Sequence, residues 1–203
     1  MPKVVEYHLS ESILDKVMHL FWEKGFFATS IDEVVKITGL NRAAIYKHFG
    51  GKEQLYVAML KRYLSQVTFQ LTQPLLEPID NPISALQTFF SQFTQAMSIP
   101  VQQKGCFLVM TATDLPLKSD AINHVVNEFL TQLQQLLSDL LAKAVQQGIC
   151  SDELDCGQTT SFLIGNIMGL MTLLRSNAPN TLVDEHIAVM NQYLEQLKCE
   201  SRT

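Results

Sequence analysis

Long apolar runs are missing from this chain. The nearest approach, FLIGNIMGLMTLL at 162–174, falls short of the ~20 residues a bilayer-spanning helix needs, so a buried helix is the expected reading. The opening MPKVVEYHLSESILDK is interrupted by charged and polar residues before any apolar run develops, and no secretory signal is expected. Cysteine is sparse: Cys106, Cys150, Cys156 and Cys199 form no CxxC pair, and without an export signal they are expected to be reduced thiols of a cytoplasmic protein. The histidines (His8, His19, His48, His124, His186) are scattered, and none joins two cysteines at ligand spacing, so no metal is expected. Familiar catalytic patterns are absent as well: there is no GxGxxG, HExxH or GxSxG. Gly50-Gly51-Lys52 is not a phosphate loop, because Tyr46 stands where its first glycine belongs and Glu53 replaces the Ser/Thr. Neither an enzyme nor a cofactor is expected.

What is present describes a soluble helical protein. The 203 residues are 47% hydrophobic and 17% charged, enough for one sizeable core or two small domains. Ile13, Leu14, Val17, Met18 and Phe21 recur at helical spacing after Ser10, and Gly25 supplies a stop. Ser30 followed by Glu33 reads as a capping box for a short second helix that Gly39 ends. Asn41 caps a third helix, RAAIYKHF, closed by Gly50-Gly51; a long fourth helix follows and is expected to end before Pro74. Further helices are expected near 83–97, 101–113, 120–147, 153–176 and 181–198. Strand-like alternation and repeats are lacking, so the fold class is all-α with about nine helices.

Charge is distributed unevenly. Residues 1–62 carry nine Lys/Arg against seven Asp/Glu, while 63–203 carry six against thirteen, giving −5 in total. Six of the basic residues fall between Lys36 and Arg62, where the only acid is Glu53. Such a split suggests a basic contact surface attached to a body that does something else. The two short helices around Gly39, the second rich in polar and basic side chains, form a helix-turn-helix pattern. Val34, Val35, Leu40, Ala44 and Ile45 can pack inward, leaving Arg42, Ala43, Tyr46, Lys47 and His48 on the other surfaces. Tyr46 taken alone reads equally as a core aromatic; Phe49 reads as core, and Lys61 and Arg62 as a solvated face.

The run LFWEKGFFATSIDEVVKITGLNRAAIYKHFGGKEQLYVAML resembles the DNA-binding domain of TetR-family transcriptional repressors. The matching features are Gly25, Phe26, Phe27, Thr29 and Ser30, the spacing of Ile31, Val34 and Gly39-Leu40, then IYKHF and GKE; they lie within about residues 10–60. The resemblance implies a DNA-binding domain at 1–52 and a ligand-binding and dimerisation domain at 53–203. It implies a homodimeric repressor on a pseudopalindromic double-stranded operator, released by a small-molecule effector, with no membrane partner. By position, Arg42, Ala43, Tyr46 and Lys47 face DNA and His48 lies near a phosphate. Lys52, with the amides opening the fourth helix, grips another phosphate. Thr29 and Ser30 sit where the second helix meets the DNA backbone.

The larger half offers less. Phe162, Ile164, Ile167, Met168, Met171 and Leu174, with Ile187, Met190, Tyr193, Leu194 and Leu197, form stripes that read either as a dimer interface or as monomer core; Gly165 and Gly169 would permit close approach. Phe89, Phe90, Phe93, Met97, Phe107, Met110, Phe129 and Phe162 are candidate apolar pocket walls, and His124, Asn127, Asn166 and Arg175 candidate polar groups. The effector expected is therefore largely apolar. GCFLVMTATDL at 105–115 resembles a segment of some members of that family in which a glycine-cysteine pair opens the sixth helix. A thiol so placed, with Lys104 two residues away, can be acidified, so Cys106 is either an oxidant or electrophile sensor or a small packed residue. Two alternatives to the effector-released repressor follow: a thiol-responsive repressor using Cys106, and a helical binding protein with no DNA function.

Overall fold

The computed structural model describes residues 9–76, 80–96, 105–114, 119–176 and 178–199, with side chains for all of these except 67–71, 73, 74, 76 and 93–96. Among the described residues there are nine helices: α1 (Glu11–Ala28), α2 (Ile31–Thr38), α3 (Arg42–Phe49), α4 (Lys52–Leu76), α5 (Pro82–Ala96), α6 (Phe107–Thr113), α7 (Asp120–Gln146), α8 (Cys156–Arg175) and α9 (Asn180–Gln196). Among the described residues the only extended pairing is a single bridge between Cys150 and Lys198. The chain is all-α.

The helix ends follow the capping residues. Ser10 accepts from the Ile13 amide to start α1. Gly25, at φ 80°, takes the chain out of helical geometry before one further turn, so it breaks α1 instead of ending it. Ser30 and Glu33 form the expected capping box of α2, and Gly39 closes that helix at φ 70°. The Asn41 side chain accepts from the Ala44 amide at 2.8 Å, and Gly50 ends α3 at φ 89°. Two expected boundaries need correction. Helix α4 continues to Leu76 rather than ending before Pro74, since a proline in the last turn forfeits one backbone bond while Leu75 beside it is buried in the core. Helix α8 begins at Cys156, not Glu153, because Asp155 caps it through the Gln158 amide. The expected segment 101–104 lies outside the described residues.

Two apolar clusters hold the molecule together. One joins Val17, Phe21 and Trp22 of α1, Val34 of α2 and Ile45 of α3 to Leu55, Tyr56, Met59 and Tyr63 of α4, and to Phe107 and Ile122 of α6 and α7. The other packs α5, α7, α8 and α9 around Leu86, Phe90, Leu137, Leu141, Leu163, Ile187 and Leu194. The division expected after residue 52 falls at the start of α4, whose first three turns close the core of the N-terminal helices. Arg62 also spans this region. It is not part of a solvated face: its guanidinium bonds Asp15 at 2.7–2.8 Å and Glu11 at 2.5 Å, tying α4 to α1.

A junction around α6 links the clusters. The Trp22 indole N–H donates to the Gly105 carbonyl at 3.1 Å, and the Tyr56 and Thr111 hydroxyls are 2.8 Å apart. Burial pushes the Tyr56 phenol up to about 12, outweighing the hydrogen bond with Thr111, which lowers it. Gly105 has φ 69°, and a Cβ there would lie 2.5 Å from Cβ of Arg175 on α8. Only glycine fits.

The stripes on α8 and α9 divide between two faces. Ile167, Met171, Leu174, Ile187, Met190 and Leu194 are buried within the monomer, so these six do not form an exposed interface. The outward apolar residues are Phe162, Leu182 and Val189, at 48%, 45% and 62% exposure, and Gly165 and Gly169 open onto free space. Phe162 rests against Tyr193 at 4.8 Å between ring centroids, placing the outer faces of the two helices side by side. Among the described residues, no helix is long and apolar enough to cross a membrane.

Candidate nucleic-acid interface and effector cavity

Helix α3 is held from behind by Ala44 and Ile45, which are buried, and from its ends by Asn41 and Gly50. Its other side projects Arg42, Ala43, Tyr46, Lys47 and His48, all exposed, with Tyr46 at 52%. An exposed aromatic among cations has no packing role to explain it. Phe49 is half-buried against the core of the N-terminal helices, with the His48 ring edge-on at 4.5 Å.

The cations of this region are not equivalent. Lys47 and His48 stand on the outer surface of the last turn of α3. Arg42 is already engaged: its Nε donates to Asp32 Oδ1 at 2.9 Å and its Nη2 to Oδ2 at 2.6 Å, across from α3 to α2. That pairing holds the Asp32 carboxyl below the usual carboxylate range. Lys52 lies with Nζ 4.5 Å from the centre of the Phe26 ring, and burial lowers its pKa. In this arrangement its ammonium lies over the aromatic face.

Thr29 and Ser30 differ from their expected setting. Thr29 is 1% exposed, with its hydroxyl donating to the Gly25 carbonyl at 2.8 Å, so it stabilises the break in α1 and presents no side chain outward. Ser30 is exposed, but its hydroxyl accepts from the Glu33 amide at 3.2 Å and donates to the Glu33 carboxylate at 2.8 Å. Glu33 also pairs with Lys24. The Lys24 contact, then the Ser30 amide and hydroxyl, pull the Glu33 carboxyl down to about 2.

In the larger half, a cavity of about 60 Å³ lies between α4, α5, α6, α7 and α8. Phe89, Leu108, Val109, Phe129, Leu133 and Met171 are among its walls, Tyr63, Thr72 and Cys106 also line it, and the surface facing the cavity is apolar throughout. Of the expected pocket residues, Phe89 and Phe129 line it. Phe107 is fully buried in the N-terminal cluster and Met110 packs against that cluster. His124 and Asn127 are exposed on α7, Phe162 is on the outer face of α8, and Asn166 bonds back to the Phe162 carbonyl at 2.8 Å. The side chain of Phe93, and Met97 altogether, lie outside the described residues. Tyr63, Thr72, Leu133 and Met171 were not anticipated; Tyr63 follows Tyr56 by two turns, which puts both on the buried face of α4. An open groove of about 320 Å³ between α4 and α7 runs past Lys61 and Glu128, and Leu64 and Phe129 line both groove and cavity.

Cys106 caps α6 without a side-chain capping bond. Of its two readings, the sensor would need an acidified thiol, whereas burial pushes this thiol up, more than the Tyr63 hydroxyl and the Val109 and Leu108 amides bring it down.

Comparison with known proteins agrees with this architecture. Residues 13–59 match the model of bacterial regulatory proteins of the tetR family, and residues 82–190 match the tetracyclin repressor-like C-terminal domain. The HTH-type transcriptional repressor ComR of Escherichia coli is 27% identical over 177 residues, covering 87% of this chain and 83% of ComR. A TetR transcriptional regulator from Chloroflexus aurantiacus superposes with TM-score 0.82 at 21% identity, covering 93% of this chain and 94% of that one. A cysteine mutant of the TetR-family regulator CifR, complexed with 26bp double-strand operator DNA, superposes with TM-score 0.77 at 17% identity over 96% and 98% of the two chains.

Proposed function

This chain belongs to the TetR family of bacterial transcriptional regulators, and from that premise we propose that it is a cytoplasmic, homodimeric repressor of which a small, largely apolar effector governs release from a pseudopalindromic operator. The observation that carries the reading is the outer face of α3, where Ala43, Tyr46, Lys47 and His48 are exposed on a helix clamped from behind. Lys and Arg displace counterions from phosphates, and polar groups on such a helix reach base edges in the major groove. Residues 1–52 supply the DNA contacts and 53–203 the effector site and dimer face. The partner copy would cover Phe162, Leu182 and Val189 on the outer side of α8 and α9, with Gly165 and Gly169 allowing close helix approach.

The effector site we assign is the cavity behind Phe89 and Phe129, reached from the groove beside Lys61 and Glu128. At about 60 Å³ it is well below the ~300–1,000 Å³ of occupied small-molecule pockets, so binding must expand it. Expansion would displace α4 and α6, and through Tyr56, Gly105 and Trp22 would move α1 with the reading heads. Half-sites one turn apart, about 34–36 Å, require matched heads, and an effector that binds the unmatched state better shifts the population off DNA. The raised thiol of Cys106 argues for this mechanism over thiolate chemistry.

The test is Tyr46→Ala and Lys47→Ala, assayed for retention on genomic DNA fragments and for mass in solution. Loss of DNA retention with the dimer intact is the expected result. Unchanged retention would favour a helical binding protein without DNA function, and loss of the dimer would place this surface elsewhere.

A further inference from the structure

One acidic side chain stands on the surface assigned to DNA, and phosphates would repel it. Asp32 is 59% exposed in the first turn of α2, where it faces Arg42 and, less closely, Lys36. A carboxylate in a first helical turn is favoured by the helix dipole, which accounts for an acid there but not for its geometry. The geometry is a fork. Both Asp32 oxygens take one N–H each from a single edge of the Arg42 guanidinium, the edge formed by Nε and Nη2. An ion pair this exposed contributes little to stability. It does fix a long side chain: four rotatable torsions of Arg42 are restrained from a second helix.

The occupied edge determines which edge is left. Guanidinium carries five N–H donors in a plane; with Nε–H and one Nη2–H bound to Asp32, the outer edge keeps the Nη1–H pair and the second Nη2–H. No described residue holds that edge. Two parallel donors at the tip of a rigid arginine match the O6 and N7 acceptors of guanine in the major groove, and no other base offers that pair of acceptors. We propose that Asp32 is a positioning residue that holds Arg42 by its inner edge so that its outer edge reads one guanine in each operator half-site.

Asp32 also sets how Arg42 does not behave. A free arginine would swing to the nearest phosphate and raise affinity for any sequence; the carboxylate neutralises that attraction and leaves the directional contact. The inference rests on α3 being the DNA-reading helix, and the experiment separates the two. Full-length wild type, Arg42→Ala, Arg42→Lys, Asp32→Asn and Asp32→Glu are each used to select from duplexes with randomised half-sites, and the retained DNA is sequenced. Thermal unfolding confirms that each variant is folded.

Wild type is expected to enrich one guanine per half-site roughly tenfold or more. Arg42→Ala and Arg42→Lys lose that preference. Asp32→Asn weakens it at the same position at least threefold while affinity for random duplex stays equal or rises, and Asp32→Glu restores part of it. If Asp32→Asn keeps the full guanine preference that Arg42→Ala loses, or alters a cytosine at another position, Asp32 does not position Arg42. If Arg42→Ala changes no base preference while wild type still selects DNA, the guanine reading fails and the regulator reading stands. If wild type retains no duplex, both fall.

Discussion

The molecule turns two surfaces outward that ought to be buried by something, and their chemistry is opposite. On α3 the exposed groups are Tyr46, Lys47 and His48 beside an arginine held by Asp32; on α8 and α9 they are Phe162, Leu182 and Val189 flanking open glycines. The first surface suits a hydrated polyanion approached reversibly, because charge and directional donors keep their water until the partner replaces it. The second suits a permanent apolar partner, because its gain comes from removing hydrocarbon from water. Between them lie Gly105 and α6: Gly105 accepts from the Trp22 indole and packs against Arg175, and Thr111 of α6 meets the Tyr56 hydroxyl. In the proposed mechanism one surface is released and the other stays closed, with the junction at Gly105 and α6 linking the effector cavity to the reading heads.

The sharpest way to break this comparison is at the junction. Gly105→Ala puts a Cβ against Arg175 at 2.5 Å and forces an alanine to φ 69°, and is expected to cost about 3 kcal/mol of unfolding free energy. Denaturant melts followed by fluorescence of Trp22, the chain's single tryptophan, read it directly because that indole bonds the Gly105 carbonyl. A cost below about 1 kcal/mol would mean the junction yields easily and cannot transmit strain.

Next in size is the apolar face. Val189, 62% exposed in the single chain, lies in the proposed dimer face, and Val189→Asp is expected to raise the dimer dissociation constant on the order of a hundredfold. Sedimentation measures this. An unaffected dimer would move the interface away from α9.

The smallest effect sharpens the description of the N-terminal helices. Glu33 sits at about 2 in the folded protein against an ordinary 4.5, so its pairing stabilises the fold fully above the ordinary value and is lost as pH falls toward 2. Glu33→Gln should therefore lower the melting temperature near neutral pH and show a shallower loss of stability on acidification. Parallel acid curves for the two proteins would remove Glu33 from the account.

The legibility of the two regions differed for physical reasons. Helices α2 and α3 are short, with Ser30, Gly39, Asn41 and Gly50 marking their ends by local hydrogen bonding and left-handed backbone, signals that need no tertiary context. Which side of α3 faces out was legible mainly through the family resemblance, since Ala43 and Tyr46 are as suited to burial as Ala44 and Ile45 when taken alone. Helix α8 is apolar around much of its circumference, and its sequence alone could not say that Ile167 and Met171 turn inward while Phe162 turns out. Cavity walls such as Tyr63 and Thr72 depend on how five helices converge. The Asp32–Arg42 fork was hidden for the same reason: the turn at Gly39 brings together residues on two helices, and neither residue is unusual where it stands.

The central claim is that the outer face of α3 enters a groove of duplex DNA, and a salt titration tests it most directly. Binding of wild type and Lys47→Ala to a duplex recovered by selection is measured across monovalent salt. The account predicts a steep linear fall of log affinity with log salt for wild type, and a slope shallower by about one for each phosphate contact that Lys47→Ala removes. A wild-type affinity indifferent to salt, or an identical slope in the variant, would contradict it.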